Sequence, residues 1–173
     1  METSLLARLA ARDRALFLRW ALDERSARAW RALLVAVTHA GGVISSVALA
    51  SLPLLGISPL VRAGWKPMAA LVASHLIVQI FKRTVGRPRP SRTLPARAAV
   101  AEPDQFSFPS GHAAAAMSIA VVYAVLFPAV AAPVLVAAAL VGLTRVFLGV
   151  HYPGDVAAGQ LIAAATALLV LTQ

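Results

Sequence analysis

Residues Ser110–Asp155 read SGHAAAAMSIAVVYAVLFPAVAAPVLVAAALVGLTRVFLGVHYPGD. Two apolar segments, about residues 110–127 and 132–147, are joined by a turn bracketed by Pro128 and Pro133, and polar groups gather at the outer ends. A bilayer core takes about 20 residues of helix, so runs of this length and apolarity read as membrane-crossing helices. The stretch therefore predicts an antiparallel helical pair in a membrane, with its polar ends on one side.

The rest of the chain agrees. Of its 173 residues 60% are hydrophobic and 13% charged, with a mean hydropathy of +0.78, outside the range of ordinary soluble domains. Further spans are expected at about residues 30–55, where Gly41 and Gly42 permit close helix contact, at 65–81 and at 155–171. Residues 3–20 alternate Leu5, Leu9, Leu16 and Trp20 with Arg8, Arg12 and Arg19 at helical spacing, the pattern of an amphipathic helix lying in the headgroup plane. The reading is an all-α, polytopic membrane helix bundle of about five spanning helices plus an N-terminal amphipathic interfacial helix. It forms a single domain over residues 1–173, with 1–27 as the interfacial segment and 83–108 as an active-site loop. No secretory signal pattern is present at the N-terminus, which is expected to be retained. The absence of cysteine excludes disulfides and thiolate metal sites. The net charge of +9 falls largely on arginines flanking apolar spans instead of on an aromatic-interleaved stripe, so anionic lipid is the expected partner and nucleic acid is not.

Three polar clusters interrupt the apolar sequence: KRTVGRPRP at 82–90, PSGH at 109–112 and TRVFLGVHYPGD at 144–155. With five spans, the first follows span two, the second opens span three and the third bridges spans four and five, so topology brings all three to one membrane face. Each has a bland alternative. Lys82, Arg83, Arg87 and Arg89 could snorkel at helix ends, Ser110 could be an N-cap, His151 could be interfacial, and Asp155 could sit at a helix N-terminus for its dipole. Arg145, inside an apolar run, is costly and so a functional candidate. His75, Gln79 and Lys82 share one face of span two, where a structural hydrogen-bonding role is expected for His75, as for His39.

Taken together the clusters suit a phosphate ester. Guanidinium groups bind phosphate oxygens in pairs, Lys82 adds a point charge, and the backbone amides of Gly111 and His112 can cradle an anion at a helix start. Two imidazoles can divide the chemistry, one attacking phosphorus and one protonating the departing oxygen, with Asp155 orienting one ring. A zinc site from His112, His151 and Asp155 is disfavoured because the neighbouring cations would repel the ion. No metal or other cofactor is expected.

At these residues the chain resembles the type 2 phosphatidic acid phosphatase superfamily. Its three-part signature is met by Lys82 with Arg89 and Pro90, by Pro109, Ser110, Gly111 and His112, and by Arg145, His151 and Asp155. The one departure is Thr144, where the family most often has serine. The resemblance implies a phosphohistidine at His151, with Asp155 as its orienting partner and His112 as general acid. Lys82, Arg89, Ser110, Gly111 and Arg145 would hold the phosphate, and Arg87 and Thr144 would be accessory. It further implies a lipid phosphate or pyrophosphate substrate, with undecaprenyl pyrophosphate or a glycerophospholipid phosphate such as phosphatidylglycerol phosphate favoured. The alternatives are a lipid phosphotransferase and a non-catalytic membrane protein that binds anionic lipid. Soluble vanadium haloperoxidases share the motifs, but the spans argue against that class. Five spans place the arginine-rich N-terminus on the site's face, which the positive-inside rule assigns to the cytoplasm; the resemblance points instead to the periplasmic face of a bacterial inner membrane.

Overall fold

The computed structural model describes residues 5–22, 26–95 and 97–173. Residues 1–4 and 23–25 of the expected interfacial segment, and residue 96 of the expected loop, lie outside the described residues. The helices are α1 (Leu5–Trp20), α2 (Arg28–His39), α3 (Val43–Ser51), α4 (Lys66–Val85), the single turn α5 (Pro90–Thr93), α6 (Gly111–Leu126), α7 (Ala131–Phe147) and α8 (Pro153–Leu171). Short 3-10 turns at Leu52–Leu55, Leu60–Ala63 and Pro128–Val130 make the tight connections. Among the described residues the nearest thing to a sheet is one isolated antiparallel bridge between Pro88 and Phe106, inside the long loop.

Among the described residues three helices are long and apolar enough to cross a bilayer: α4, α7 with the turn preceding it, and α8. The expected first span is not one helix. It breaks into α2 and α3, bent by 46° and passing the same test only as a pair. The cause is packing at the corner. A Cβ on Gly41 would stand 2.5 Å from Val141 Cγ1 and 2.8 Å from the His112 carbonyl oxygen, so only glycine lets the corner press on α6 and α7. The expected span at 110–127 becomes α6, a shorter apolar helix of 16 residues, rising about 24 Å at 1.5 Å per residue.

Helix α6 is the centre of the bundle, packed against α4, α7 and α8 and touched by α3. The contacts are made by short side chains: Ala113, Ala114 and Ala120 of α6, Ala70 and Val78 of α4, and Ala163 and Ala167 of α8 are buried. In a bilayer, where lipid tails are as apolar as leucine, close approach of small residues is what holds helices together. The large apolar residues point the other way. Ile44, Val43, Leu76, Ile80, Leu161 and Leu169 are exposed around the outside, as a lipid-facing surface requires.

Helix α1 is docked on the bundle, not detached from it. Phe17 is fully buried and meets Tyr152 edge-on at 5.4 Å, and the Leu22 amide donates to the Phe147 carbonyl at 2.8 Å. Leu5, Leu9 and Leu16 remain exposed. The docking point is the end of the bundle where α4 and α7 finish and α6 and α8 begin. At the opposite end Lys66 Nζ donates to the Leu171 carbonyl at 3.3 Å.

Candidate active site

The end of the bundle carrying α1 gathers the three polar clusters. Lys82, in the last turn of α4, is almost fully buried. Its ammonium donates to both Asp104 carboxylate oxygens, at 3.1 and 2.9 Å, and to the Phe106 carbonyl at 3.2 Å. Arg89 follows after the chain leaves α4 through Gly86 and is 0% exposed. Its Nε donates to the Asp104 carbonyl at 2.7 Å, Nη2 to Asp104 Oδ1 at 3.0 Å and Nη1 to the Val150 carbonyl at 2.9 Å. The same Nη1 lies 3.3 Å from His151 Nε2. Lysine could not make this set of bonds, because the planar guanidinium projects its donors in fixed directions.

His151 sits in the turn between α7 and α8 and is 2% exposed. Its Nδ1 is 2.6 Å from the Ser107 carbonyl oxygen. A carbonyl can only accept, so Nδ1 carries the proton and Nε2 presents its lone pair. Burial pushes the imidazole pKa down to about 4, outweighing the opposing pull of the Asp155 carboxylate. The ring is therefore neutral at pH 7, the form a nitrogen nucleophile needs.

The orienting role expected of Asp155 is only partly met by the geometry. Asp155 Oδ2 lies 3.8 Å from His151 Nδ1, too far for a hydrogen bond. Its two oxygens are held elsewhere, Oδ2 by the Tyr152 amide at 2.8 Å and Oδ1 by Arg87 Nη1 at 2.7 Å. The short bond that fixes the ring comes from the Ser107 carbonyl, and Asp155 acts on the imidazole through its charge.

Ser110 precedes α6 at the N-cap, yet its hydroxyl makes no capping bond, and its Oγ is buried without a hydrogen-bond partner. Its backbone is pinned instead, the amide donating to the Asp155 carbonyl at 2.9 Å. A Cβ on Gly159 of α8 would fall 2.5 Å from the Ser110 carbonyl oxygen, so glycine there lets α8 carry Asp155 against the start of α6. Arg145 is 2% exposed; Nη1 donates to Thr38 Oγ1 at 2.9 Å while Nε has no partner. Buried unpaired donors are rare in folded proteins, because leaving one unsatisfied costs about 1–3 kcal/mol. Here one hydroxyl and one guanidinium nitrogen among the expected phosphate ligands are in that state. A cavity of about 390 Å³ is lined by Lys82, Arg89, Gly111, His112 and His151.

Two expected accessory residues lie away from this cavity. Arg87 turns behind His151, with Nη2 on Asp13 Oδ2 at 2.7 Å, Nη1 on Asp155 and its guanidinium 4.0 Å above the Tyr152 ring. Burial alone would lower its pKa, but the two carboxylates raise it. Thr144 donates to the Val141 carbonyl of its own helix at 2.6 Å. Sequence reasoning passed over Asp104, the Ser107 carbonyl, Thr38 and the bracing role of Asp13. Burial opposes the charge on Asp104, yet Lys82, the Phe106 amide and Arg89 hold its carboxyl below the usual range. Of these only Asp13 gave any signal, as an acid within an arginine-rich helix.

A family model described as the PAP2 superfamily matches residues 63–173. The chain is 36% identical over 104 residues to lipid A 1-phosphatase of Rhizobium johnstonii, an overlap of 57% of this chain and 43% of that protein. It is 38% identical over 107 residues to decaprenylphosphoryl-5-phosphoribose phosphatase of Mycobacterium tuberculosis, covering 59% and 56%. The chain thus spans about half the length of these relatives. Among solved structures, a PAP2 type phosphatidylglycerolphosphate phosphatase from Bacillus subtilis superposes with TM-score 0.74 at 22% identity, over 95% of this chain and 85% of that one. LpxE from Aquifex aeolicus does so with TM-score 0.77 at 24% identity, over 92% and 94%. These two share the helical fold.

Proposed function

The chain belongs to the PAP2 superfamily, and on that premise we propose that it is a membrane-bound lipid phosphatase working through a phosphohistidine at His151. One observation carries this reading. His151 Nε2 presents its lone pair beside a fully buried arginine, with the ring fixed by a 2.6 Å bond to a backbone carbonyl. A phosphoryl group entering the cavity would meet Lys82, Arg89 and the amides at the start of α6 on its equatorial oxygens, and Nε2 in line with the departing oxygen; the buried Arg145 and Ser110 hydroxyl, which do not line the cavity, would complete the clamp.

In the first step the Nε2–P bond forms and the P–O bond to the lipid breaks. His112 gives a proton to the leaving oxygen. As positive charge builds on the imidazole, the Ser107 carbonyl dipole and the Asp155 carboxylate stabilise it. The cationic clamp neutralises the equatorial oxygens, the principal contribution available to phosphoryl transfer. In the second step water attacks phosphorus, with His112 taking its proton, and Nε2 is released. The concentrated positive charge would repel a divalent cation, so the proposed chemistry uses none.

The substrate reaches this site from the bilayer. The cavity continues between α3 and α4, where Val43, Val47, Val72 and Leu76 line it and are themselves exposed on the outer apolar surface. Five crossings, counting the bent α2–α3 pair as one and α6 as another, put α1 and the site on one face and the C-terminus on the other. We place that face on the periplasmic side of a bacterial inner membrane, following the family resemblance. Undecaprenyl pyrophosphate and a glycerophospholipid phosphate such as phosphatidylglycerol phosphate are the leading substrates. The test is phosphate release by the detergent-purified chain and its His151→Ala variant from these lipids. Release that survives the substitution unchanged would refute the mechanism.

A further inference from the structure

The cavity that holds the catalytic groups is longer than a phosphate requires, and its remote part is not uniformly apolar. Helix α4 places Gln79 three and His75 seven residues before Lys82, and all three side chains line the cavity. At the helical rise this sets them roughly 5 and 10 Å along the axis from the clamp. Gln79 Nε2 lies 3.3 Å from His75 Nε2, which uses one amide proton and leaves the rest of the amide with capacity for another partner. Across from them on α3 stands Ser46, 2% exposed, with an Oγ that has no hydrogen-bond partner; it lines the same cavity. The surrounding wall is Leu71, Val72, Leu76 and Val47.

Polar side chains within an apolar span are expensive and mark sites of function; here Ser46 is buried, Gln79 half-buried and His75 exposed. The bundle itself does not use these three, since α3 and α4 pack through Ala50 and Leu71. They lie between the place where phosphate binds and the apolar wall where hydrocarbon would lie. Resting on the lipid phosphatase reading above, we propose that Ser46, Gln79 and His75 form a polar subsite for hydroxyl or ester oxygens a few bonds from the phosphorus. The substrate is then a lipid phosphate with an oxygenated backbone, a glycerol ester or a sugar. A polyprenyl monophosphate presents hydrocarbon directly after its phosphate and would leave the Ser46 hydroxyl and the free capacity of the Gln79 amide without a partner. A site built to hydrogen-bond its substrate discriminates strongly against an analogue lacking the partner atoms.

The test uses the full chain in mixed micelles with four probes: phosphatidic acid, a glucosamine-disaccharide lipid 1-phosphate, an undecaprenyl monophosphate and water-soluble p-nitrophenyl phosphate. The expected result is a kcat/KM for one of the two oxygenated lipids at least about 10-fold above that for the polyprenyl phosphate. Whichever oxygenated probe is preferred identifies the backbone as glycerol or sugar. Ser46→Ala and Gln79→Leu each remove most of that preference, chiefly through KM, and leave p-nitrophenyl phosphate turnover unchanged. That last reading also shows that the variants are folded. Equal or better use of the polyprenyl phosphate, or variants that depress all four probes alike, would overturn the proposal while leaving the phosphatase reading intact. Absence of His151-dependent turnover of every probe would overturn both.

Discussion

Two clusters of arginine and carboxylate flank His151, and they come from almost the same stretch of sequence. In front, facing the cavity, Arg89 and Lys82 share Asp104. Behind, Arg87 joins Asp13 of α1 to Asp155 of α8 and stacks on Tyr152. Arg87 and Arg89 are two residues apart in an Arg-Pro-Arg-Pro run, a spacing that a regular extended strand would send to one side, yet here the two side chains take different partners. The Arg89 guanidinium faces the cavity, while that of Arg87 braces the wall behind His151. The chemistry of the side chain is the same in both; what differs is whether the carboxylate partner can be exchanged for a phosphate. Asp104 is on a loop with its side chain 34% exposed, whereas Asp155 is 0% exposed and fixed by its own helix N-terminus.

The comparison can be broken by substituting the two arginines separately. Arg89→Ala removes a proposed phosphate ligand and is expected to lower kcat/KM by about 1,000-fold, the upper range for one transition-state donor. Arg89→Lys should recover little, because an ammonium cannot reproduce four directed bonds. Arg87→Ala leaves Asp155 buried without its ion-pair partner and should cost about 3 kcal/mol of stability, read by thermal unfolding in detergent. Its activity at low temperature should fall far less than that of Arg89→Ala. If Arg87→Ala proved the more inactive while remaining stable, the division into clamp and brace would be wrong.

Acid should reach the site later than an ordinary histidine would allow. His151 is held down to about 4, so it is neutral and nucleophilic above that pH and loses activity as pH falls through it. A histidine at its usual 6.5 would be about 30-fold less active at pH 5 than at its plateau. The expectation is therefore near-full kcat/KM at pH 5 and a limb close to 4, measured with buffers of constant ionic strength. A limb at 6.5 would mean that His151 is not the buried, ring-fixed group described here.

The smallest effect is expected at the outer edge of the brace. Asp13→Ala removes one ion pair and the 2.7 Å bond from the Gly154 amide, both partly exposed, at a cost of about 1 kcal/mol. Loosened docking of α1, seen as faster proteolysis within Leu5–Trp20, would accompany it. No change in either would detach α1 from the account of the wall.

What the sequence disclosed followed from the physics of each feature. Lys82, Ser110, His112, Arg145 and His151 stood out as candidates because polar residues at the ends of apolar spans are few and their spacing is constrained. The helical class was equally plain from the long apolar runs. The break between α2 and α3 was not, since an apolar run looks continuous whether or not Gly41 is pressed against His112 and Val141. Asp104 and the Ser107 carbonyl were invisible because their roles depend on the path of a proline-rich loop, closed by the bridge between Pro88 and Phe106. Nor could spacing distinguish an aspartate hydrogen-bonded to His151 from one 3.8 Å away and committed to Arg87. The motif names the participants; the backbone decides which of them touch.

The central claim is that His151 Nε2 becomes bonded to phosphorus. Rapid acid-free quenching of the chain with 32P-labelled phosphatidic acid, followed by peptide mapping, tests it directly. The label should be acid-labile, stable to base, located on His151 and missing from the His151→Ala protein. Label on another residue, or turnover through a burst phase with His151 never labelled, would contradict it.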